Sequence, residues 1–296
     1  MTRWLLTGAS GQLGAYLLRE LAQNKQPVTA WSGKRRAALF GFDLEPVDLA
    51  DPGQVTAAFE RARPTAVIHA AALATIAECR RDPGRAWRIN NDATGTLAHL
   101  CRRAGARLMY ISTDLVFDGE QGGYREDDLP SPLSVYGRTK AAAERLVLAV
   151  PGAVVVRASL MLGPTLIGKP FFFDEQLAGL REGRPLHLFT DEWRSPFGLA
   201  PAARVFLAVL DSDFSGTLHV AGPERMSRFE MGRRLAAYLQ ADPATIVPTE
   251  RRHFPSPEPR PRDTSLDCSL WRTRFPNQPW PIWEEALQEM GVTLSS

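Results

Sequence analysis

Apolar runs and amphipathic stretches alternate along the first half of the chain. Trp4-Leu5-Leu6 is a short apolar run, and Leu13, Leu17, Leu18 and Leu21 follow at helical spacing. Val28-Thr29-Ala30-Trp31 is a second run, and residues 52–62 read as a helix with Pro52 at an early position. Residues 65–69 read as a buried parallel strand around Ala66-Val67-Ile68, followed by the small residues Ala70, Ala71 and Ala72. A long helix is expected over about 83–104, a buried strand over 108–113, a helix opening at Tyr136 and a strand over 154–157. Strands alternating with helices predict an α/β fold, a doubly wound parallel sheet of the Rossmann type.

Beyond residue 157 the rhythm loosens. A helix falls within 169–183, a short strand at 186–189, a polar loop at 191–196 and a helix near 200–210. A strand at 217–220 and a helix at 227–239 follow, and an amphipathic helix containing Trp283 closes the chain. Residues 243–261 hold six prolines and read as irregular. We therefore expect a dinucleotide-binding domain over 1–157 that includes the helix at Tyr136. Residues 158–296 are expected to form mainly a smaller substrate-binding lobe, with segments returning to the main sheet.

Composition narrows the partners. With 44% hydrophobic and 23% charged residues the chain is an ordinary globular protein. A net charge of +2, with scattered cations, argues against nucleic acid or membrane as the main partner. Cys79, Cys101 and Cys268 are far apart, which fits a reducing compartment and no zinc site. The sequence has neither a membrane-length apolar run nor a signal-peptide pattern, so a soluble, cytoplasmic protein is expected.

The chemistry starts at Gly8-Ala9-Ser10-Gly11-Gln12-Leu13-Gly14, between the first strand and the first helix. Gly8 allows a tight turn, Gly11 a close approach of backbone to a diphosphate, and Gly14 close packing of helix on strand. The helix N-terminus then offers unpaired amides to the phosphates. The next strand ends in Ser32-Gly33-Lys34-Arg35-Arg36, where an NAD-specific site usually carries an acid. A hydroxyl and three cations suit a 2′-phosphate, so NADP(H) is preferred and NAD(H) is the alternative. In that alternative the cations are a solvated loop and Asp43 or another carboxylate reads the ribose. Asp48, before Leu49, either caps the 52–62 helix or faces the adenine edge. Ala70, Ala71, Ala72 and Asn90 lie on expected cofactor-facing segments.

Tyr136 and Lys140 are four apart on one helix and so share a face. An ammonium near a phenol stabilises phenolate and brings its pKa toward the working range. A Tyr-x-x-x-Lys match alone is common by chance; here the strand ending at Thr113 leads into its helix. The loop between them carries Asp118, Glu126, Asp127 and Asp128, read as a solvated acidic loop rather than a metal site.

These motifs resemble the extended short-chain dehydrogenase/reductase superfamily, most closely the dTDP-4-dehydrorhamnose reductase branch. The resemblance rests on Thr7 to Gly14, on Ser112-Thr113-Asp114-Leu115-Val116-Phe117-Asp118-Gly119, and on Tyr136-Gly137-Arg138-Thr139-Lys140. It implies a catalytic set of Thr113, Tyr136 and Lys140. Tyr136 would protonate a carbonyl oxygen as hydride arrives, and Thr113 would hydrogen-bond the same oxygen. Lys140 would hold the nicotinamide ribose and lower the Tyr136 pKa. On the substrate side it points to Asp114, Phe117, Arg194 and Arg262, the two arginines either clamping a diphosphate or facing solvent. The family's Arg-Thr-Ser-Trp is Arg157-Ala158-Ser159-Leu160 here, its Gly-Ser-Pro-Thr is Arg194-Ser195-Pro196-Phe197, and Pro201 replaces an acid. The implied activity is NADP(H)-dependent reduction of a keto group on a nucleotide-activated deoxysugar, and a homodimer is compatible with the class. Two alternatives stand beside it. One is an epimerase or dehydratase with a retained cofactor. The other is a non-catalytic module resembling the regulatory subunit of methionine adenosyltransferase.

Overall fold

A computed structural model describes residues 2–294. The chain opens with β1 (Trp4–Thr7), α1 (Gln12–Gln23), β2 (Val28–Ser32), β3 (Ala38–Leu39), β4 (Phe42–Pro46) and α2 (Pro52–Ala62). It continues through β5 (Ala66–His69), α3 (Ile76–Arg81), α4 (Pro83–Trp87), a π-helical turn (Arg88–Asp92) and α5 (Ala93–Ala104). Then come β6 (Arg107–Thr113), α6 (Val135–Leu148), β7 (Val154–Ala158) and β8 (Met161–Leu162). The remainder is α7 (Phe172–Arg181), β9 (Leu186–Phe189), β10 (Trp193–Arg194), β11 (Phe197–Gly198), α8 (Leu199–Asp211), β12 (Gly216–Val220) and β13 (Met226–Ser227). It ends with α9 (Arg228–Leu239), β14 (Ile246–Thr249), α10 (Ser269–Arg274) and α11 (Trp283–Glu289).

The main sheet has the order β12-β7-β6-β5-β1-β2-β4-β3. β1 pairs in parallel with β2 on one side and β5 on the other, and β6 pairs in parallel with β5. The chain therefore winds outward from β1 to β4, then returns to start again at β5. Ligands in such sheets sit beyond the carboxyl ends of the strands at this reversal. One face is covered by α2, α5 and α6 through Val55, Phe59, Leu97, Leu100, Ala143 and Val147, all buried with Leu5, Val67 and Leu108 of the strands.

Local chemistry explains the helix bounds near the site. Asp51 caps α2, accepting from the amides of Gly53 and Gln54, with Pro52 in the first turn. Asp48 instead accepts from the Ala50 amide, so the capping reading of Asp48 is corrected. Ser134 caps α6 by accepting from Gly137 N at 3.0 Å, which sets where the Tyr136 turn begins.

One element is additional to the expected ones, and two local expectations are corrected. The β3–β4 hairpin was not foreseen: its two-residue turn, Phe40-Gly41, has φ of +52° and +83°, and Phe40 carries none of the usual turn signals. The helix expected over 83–104 is interrupted by the π-helical turn that contains Asn90, and α3 precedes it. The proline tract 243–261 is not wholly irregular, because β14 pairs in parallel with β9 and includes Pro248. Those two strands form a separate two-stranded sheet, so Pro248 lies on an edge strand, where a missing N–H is tolerated.

The fold divides into two compact units. The first comprises the chain up to Val116 together with Ser134–Arg157 and Ala203–Leu218; the second comprises Phe117–Leu133, Ala158–Ala202 and the chain from His219 on. A single cut after residue 157 thus misses 117–133, which cluster with the second unit. That unit has its own core, in which α7, α9 and α11 bring together Phe173, Leu177, Met231, Leu235, Trp283 and Leu287.

Candidate active site

At the reversal point in the first unit, Gly8 has φ of +75°, and a Cβ there would lie 2.7 Å from Ala71 N at the end of β5. A Cβ on Gly14 would lie 2.1 Å from the Gly8 carbonyl oxygen. Glycine is thus demanded at one position by conformation and at the other by close packing. Gly11, beside Ser10, donates its amide to Gly8 O at 2.9 Å and opens α1 at Gln12 and Leu13. No side chain caps this helix, and its first turn holds no acid. A glycine-rich turn leading into an uncapped helix start fits a diphosphate.

At the end of β2 the Ser32 side chain is buried and donates to Arg35 O at 2.5 Å, so it braces its own loop. Lys34 and Arg35 are exposed. The carboxylates nearby are otherwise placed. Glu45 pairs with Arg61, and Asp43 precedes Leu44, which pairs with Ala30, two residues before the end of β2. Neither stands at the strand end, where a ribose-reading acid belongs. Asp48 is exposed, and Leu49 is half-buried against the core.

Beyond β5, Ala70, Ala71 and Ala72 are half-buried, and Ala71 donates its amide to Thr7 Oγ1 at 3.3 Å. His69 ties this edge together: Nδ1 lies 2.7 Å from Thr7 Oγ1 and Nε2 lies 2.9 Å from Thr94 Oγ1. Thr94 donates to Asn90 O, so Nε2 carries the imidazole proton and Nδ1 accepts from Thr7. Burial, with the Lys140 charge second, pushes the His69 pKa down to about 3.

Asn90 was expected to face the cofactor. Its side chain is instead a buried clamp: Oδ1 accepts from Leu73 N at 2.8 Å, and Nδ2 donates to Leu73 O at 3.2 Å and Thr139 Oγ1 at 3.0 Å. It thereby fastens the loop after β5 to α6, one residue before Lys140.

The start of α6 faces the end of β6. Thr113, at the end of β6, is near enough to act on the Tyr136 hydroxyl and donates from Oγ1 to Asp114 Oδ1 at 3.2 Å. The Tyr136 ring packs against Leu73, Cys79 and Ala86. This surrounding pushes its pKa up, chiefly by burial, then by Asp114 and Cys79, with the Thr113 hydrogen bond opposing. The expected lowering by Lys140 is therefore corrected. The Lys140 side chain, 2% exposed, donates from Nζ to Ile111 O at 2.7 Å and lies over the Tyr110 ring. Burial brings its pKa down to about 7, opposed by Glu144 and Cys79, so at neutral pH the ammonium is only partly present.

Beneath Lys140, Glu144 and Arg157 form a buried pair with side-chain exposures of 3% and 5%. Arg157 Nη2 donates to Glu144 Oε2 at 2.9 Å, and Ser112 donates to Glu144 Oε1. Sequence reasoning missed Glu144, Ser112 and Tyr110, although signals existed. Glu144 is four residues after Lys140, and Tyr110 and Ser112 are the two polar residues on one face of an apolar strand.

The expected substrate residues Phe117, Arg194 and Arg262 belong to the second unit, and two of them are corrected. Phe117 is buried and stacked on Tyr124 at 4.1 Å with an interplanar angle of 6°, so it is part of a core. Arg194 is 5% exposed and pairs with Glu192 at 3.2 Å, so it neither faces solvent nor offers an open clamp. Arg262 is exposed and donates to Glu120 O at 3.1 Å. The acidic loop is held by its own hydrogen bonds: Asp118 accepts from the Tyr124 hydroxyl and Glu126 from His219 N. No group of three or more His, Cys, Asp or Glu among the described residues is arranged to hold a metal. No helix among them is long and apolar enough to cross a membrane.

Comparison with known proteins adds three similarities. The chain is 33% identical over 279 residues to dTDP-4-dehydrorhamnose reductase of Mycobacterium tuberculosis, covering 91% of this chain and 86% of that one. It is 31% identical over 288 residues to methionine adenosyltransferase 2 subunit beta of Bos taurus, covering 92% and 82%. The crystal structure of dTDP-4-dehydrorhamnose reductase from Bacillus anthracis in complex with NADP superposes with a TM-score of 0.84 at 25% identity, covering 97% and 98%. The model of the RmlD substrate binding domain matches residues 2–295. With its glycine turn, strand reversal and Tyr136–Thr113 pair, the chain belongs to the RmlD substrate binding domain family, in the extended short-chain dehydrogenase/reductase branch.

Proposed function

We propose that this chain is an NADP(H)-dependent reductase of a keto group on a nucleotide-activated deoxysugar, similar to dTDP-4-dehydrorhamnose. The observation that supports the reading is Tyr136 beside Thr113, at the same carboxyl end of the parallel strands as the glycine turn. Bound NADPH supplies the hydride. The glycine turn from Gly8 to Gly14, with Ser10, Gln12 and Leu13, would hold the diphosphate, and Lys34 and Arg35 would pair with the 2′-phosphate. Hydride addition turns a carbonyl oxygen into a strongly basic alkoxide, and donors aimed at that oxygen lower the barrier. Tyr136 donates the proton and Thr113 orients the same oxygen. Tyr136 holds its proton at neutral pH and can release it only to a much stronger base, which the alkoxide formed by hydride addition is. Lys140 orients the ribose, and Asp114 beside Thr113 borders the sugar.

The subunit relationship favours a second reading, a partner-binding module without turnover. The retained Tyr136, Thr113 and Lys140 argue for catalysis. An epimerase or dehydratase is less well matched, because Leu115 follows Asp114 where dehydratases typically carry Glu. Steady-state NADPH consumption over a panel of nucleotide-linked 4-ketosugars tests the proposal. A reductase consumes NADPH with at least one of them. A sugar that changes without net consumption supports the epimerase. No turnover, with co-purification of a synthetase, supports the binding module.

A further inference from the structure

Lys140 is buried among groups that no surface lysine meets. Its Nζ donates to Ile111 O at 2.7 Å and lies 3.9 Å from the centroid of the Tyr110 ring. An ammonium over a ring face is attracted to the ring's negative quadrupole, most strongly where water is excluded. Tyr110 is itself fully buried, with its ring 5.4 Å from that of His69 and its hydroxyl 3.5 Å from Asn90 O.

The other titratable groups around the ammonium come from every neighbouring element. Glu144 on α6 acts on Lys140 and is held by Arg157 of β7 and Ser112 of β6. Cys79 of α3 and His69 of β5 interact with it electrostatically, and Tyr136 opens the same helix. Glu144 is already engaged by a guanidinium, and His69 is neutral. Glu144 favours the charge from a distance, while the Tyr110 face and the Ile111 carbonyl are the groups in direct contact with Nζ.

We propose that Tyr110 is a positioning residue whose ring face holds the Lys140 ammonium charged and in one place beneath the catalytic helix. Its bearing on turnover rests on the reductase reading; its effect on Lys140 does not. Removing the ring withdraws a favourable contact with the charged form, so Lys140 gives up its proton at lower pH.

The test is carbon-13 NMR titration of lysine ε-carbons in the full chain, which has only Lys25, Lys34, Lys140 and Lys169. Spectra are compared for wild type, Tyr110→Leu, Tyr110→Met and Tyr110→Phe, the Met variant serving where the Leu variant does not fold. The Lys140 midpoint is expected to fall by roughly one pH unit in the Leu and Met variants and to stay at the wild-type value in Phe. The alkaline limb of the NADPH-dependent rate moves with it. A Leu or Met variant with the wild-type midpoint overturns the proposal, as does a Phe variant shifted as far as they are. Undiminished turnover in Tyr136→Phe rejects the reductase reading and leaves the Lys140 titration standing.

Discussion

Tyr136 carries the chemistry of the proposed reaction, and its setting defines what removing its hydroxyl does. The ring packs on Leu73, Cys79 and Ala86, contacts that Phe would keep. Tyr136→Phe should therefore retain NADPH affinity while turnover falls by roughly 100-fold or more, the scale of losing a general acid. Fluorescence titration and steady-state rates check the two halves, and unchanged turnover rules Tyr136 out as the acid. At the other end of the cofactor site, Lys34 and Arg35 are exposed cations where an acid would read a ribose. Replacing both with Ala should weaken NADPH by roughly tenfold or more and leave NADH nearly unaffected, since charge-assisted contacts to phosphate are lost only for the former. Equal losses in calorimetric titrations with the two nucleotides would remove them as phosphate readers. At this scale sequence spacing placed Tyr136 and Lys140 on one helix and the resemblance added Thr113, but neither showed what surrounds them. Four-residue spacing says that two side chains share a face; it says nothing of the Tyr110 ring and Ile111 carbonyl toward which Lys140 turns.

Helix α6 is anchored by a buried ion pair, and that anchor is an element-scale property. Truncating one partner of such a pair leaves an uncompensated charge in the core. Arg157→Leu should cost about 3–5 kcal/mol of stability, whereas Glu144→Leu combined with Arg157→Leu should cost much less. Urea unfolding of the single and double variants measures both, and a single variant as stable as wild type contradicts the role given to the pair. Elements with strong periodicity and caps were legible: α2 was expected over the same residues it occupies. The β3–β4 hairpin was not, because the first residue of its turn, Phe40, adopts a positive φ where Asn, Asp or Gly is usual, and a lone Gly41 is a weak signal. Arg194 and Phe117 were misread because a motif match shows which residue occupies a position, not whether Glu192 or Tyr124 has already taken up its side chain.

For the whole molecule, Lys140 couples the site to stability. Its pKa is about 7 in the folded chain against an ordinary 10.5, so between these values the unfolded chain binds more protons. Stability contributed through this group therefore rises with pH across that window, and its destabilising effect is complete below about pH 7. Lys140→Met should be stabilised relative to wild type near neutral pH, with the gap closing toward pH about 10. Parallel stability curves for the two proteins would contradict the depressed pKa. The doubly wound parallel sheet was readable from the alternation of apolar runs and helices, and its strand order was not. The division into units was not, because 117–133 joins the second unit through contacts such as Tyr124 with Leu266 and Asp263 with Gly119, far apart in sequence.

The central claim is that a hydride leaves the cofactor for good and a proton from Tyr136 meets the oxygen it creates. It is tested by incubating the protein with a nucleotide-linked 4-ketosugar and NADPH deuterated at both C4 positions, then weighing the sugar product. One deuterium per product molecule, with one NADP formed for each and almost none in Tyr136→Phe, is the predicted result. A converted sugar without net loss of NADPH, or a sugar left unchanged by the wild-type protein, would contradict it.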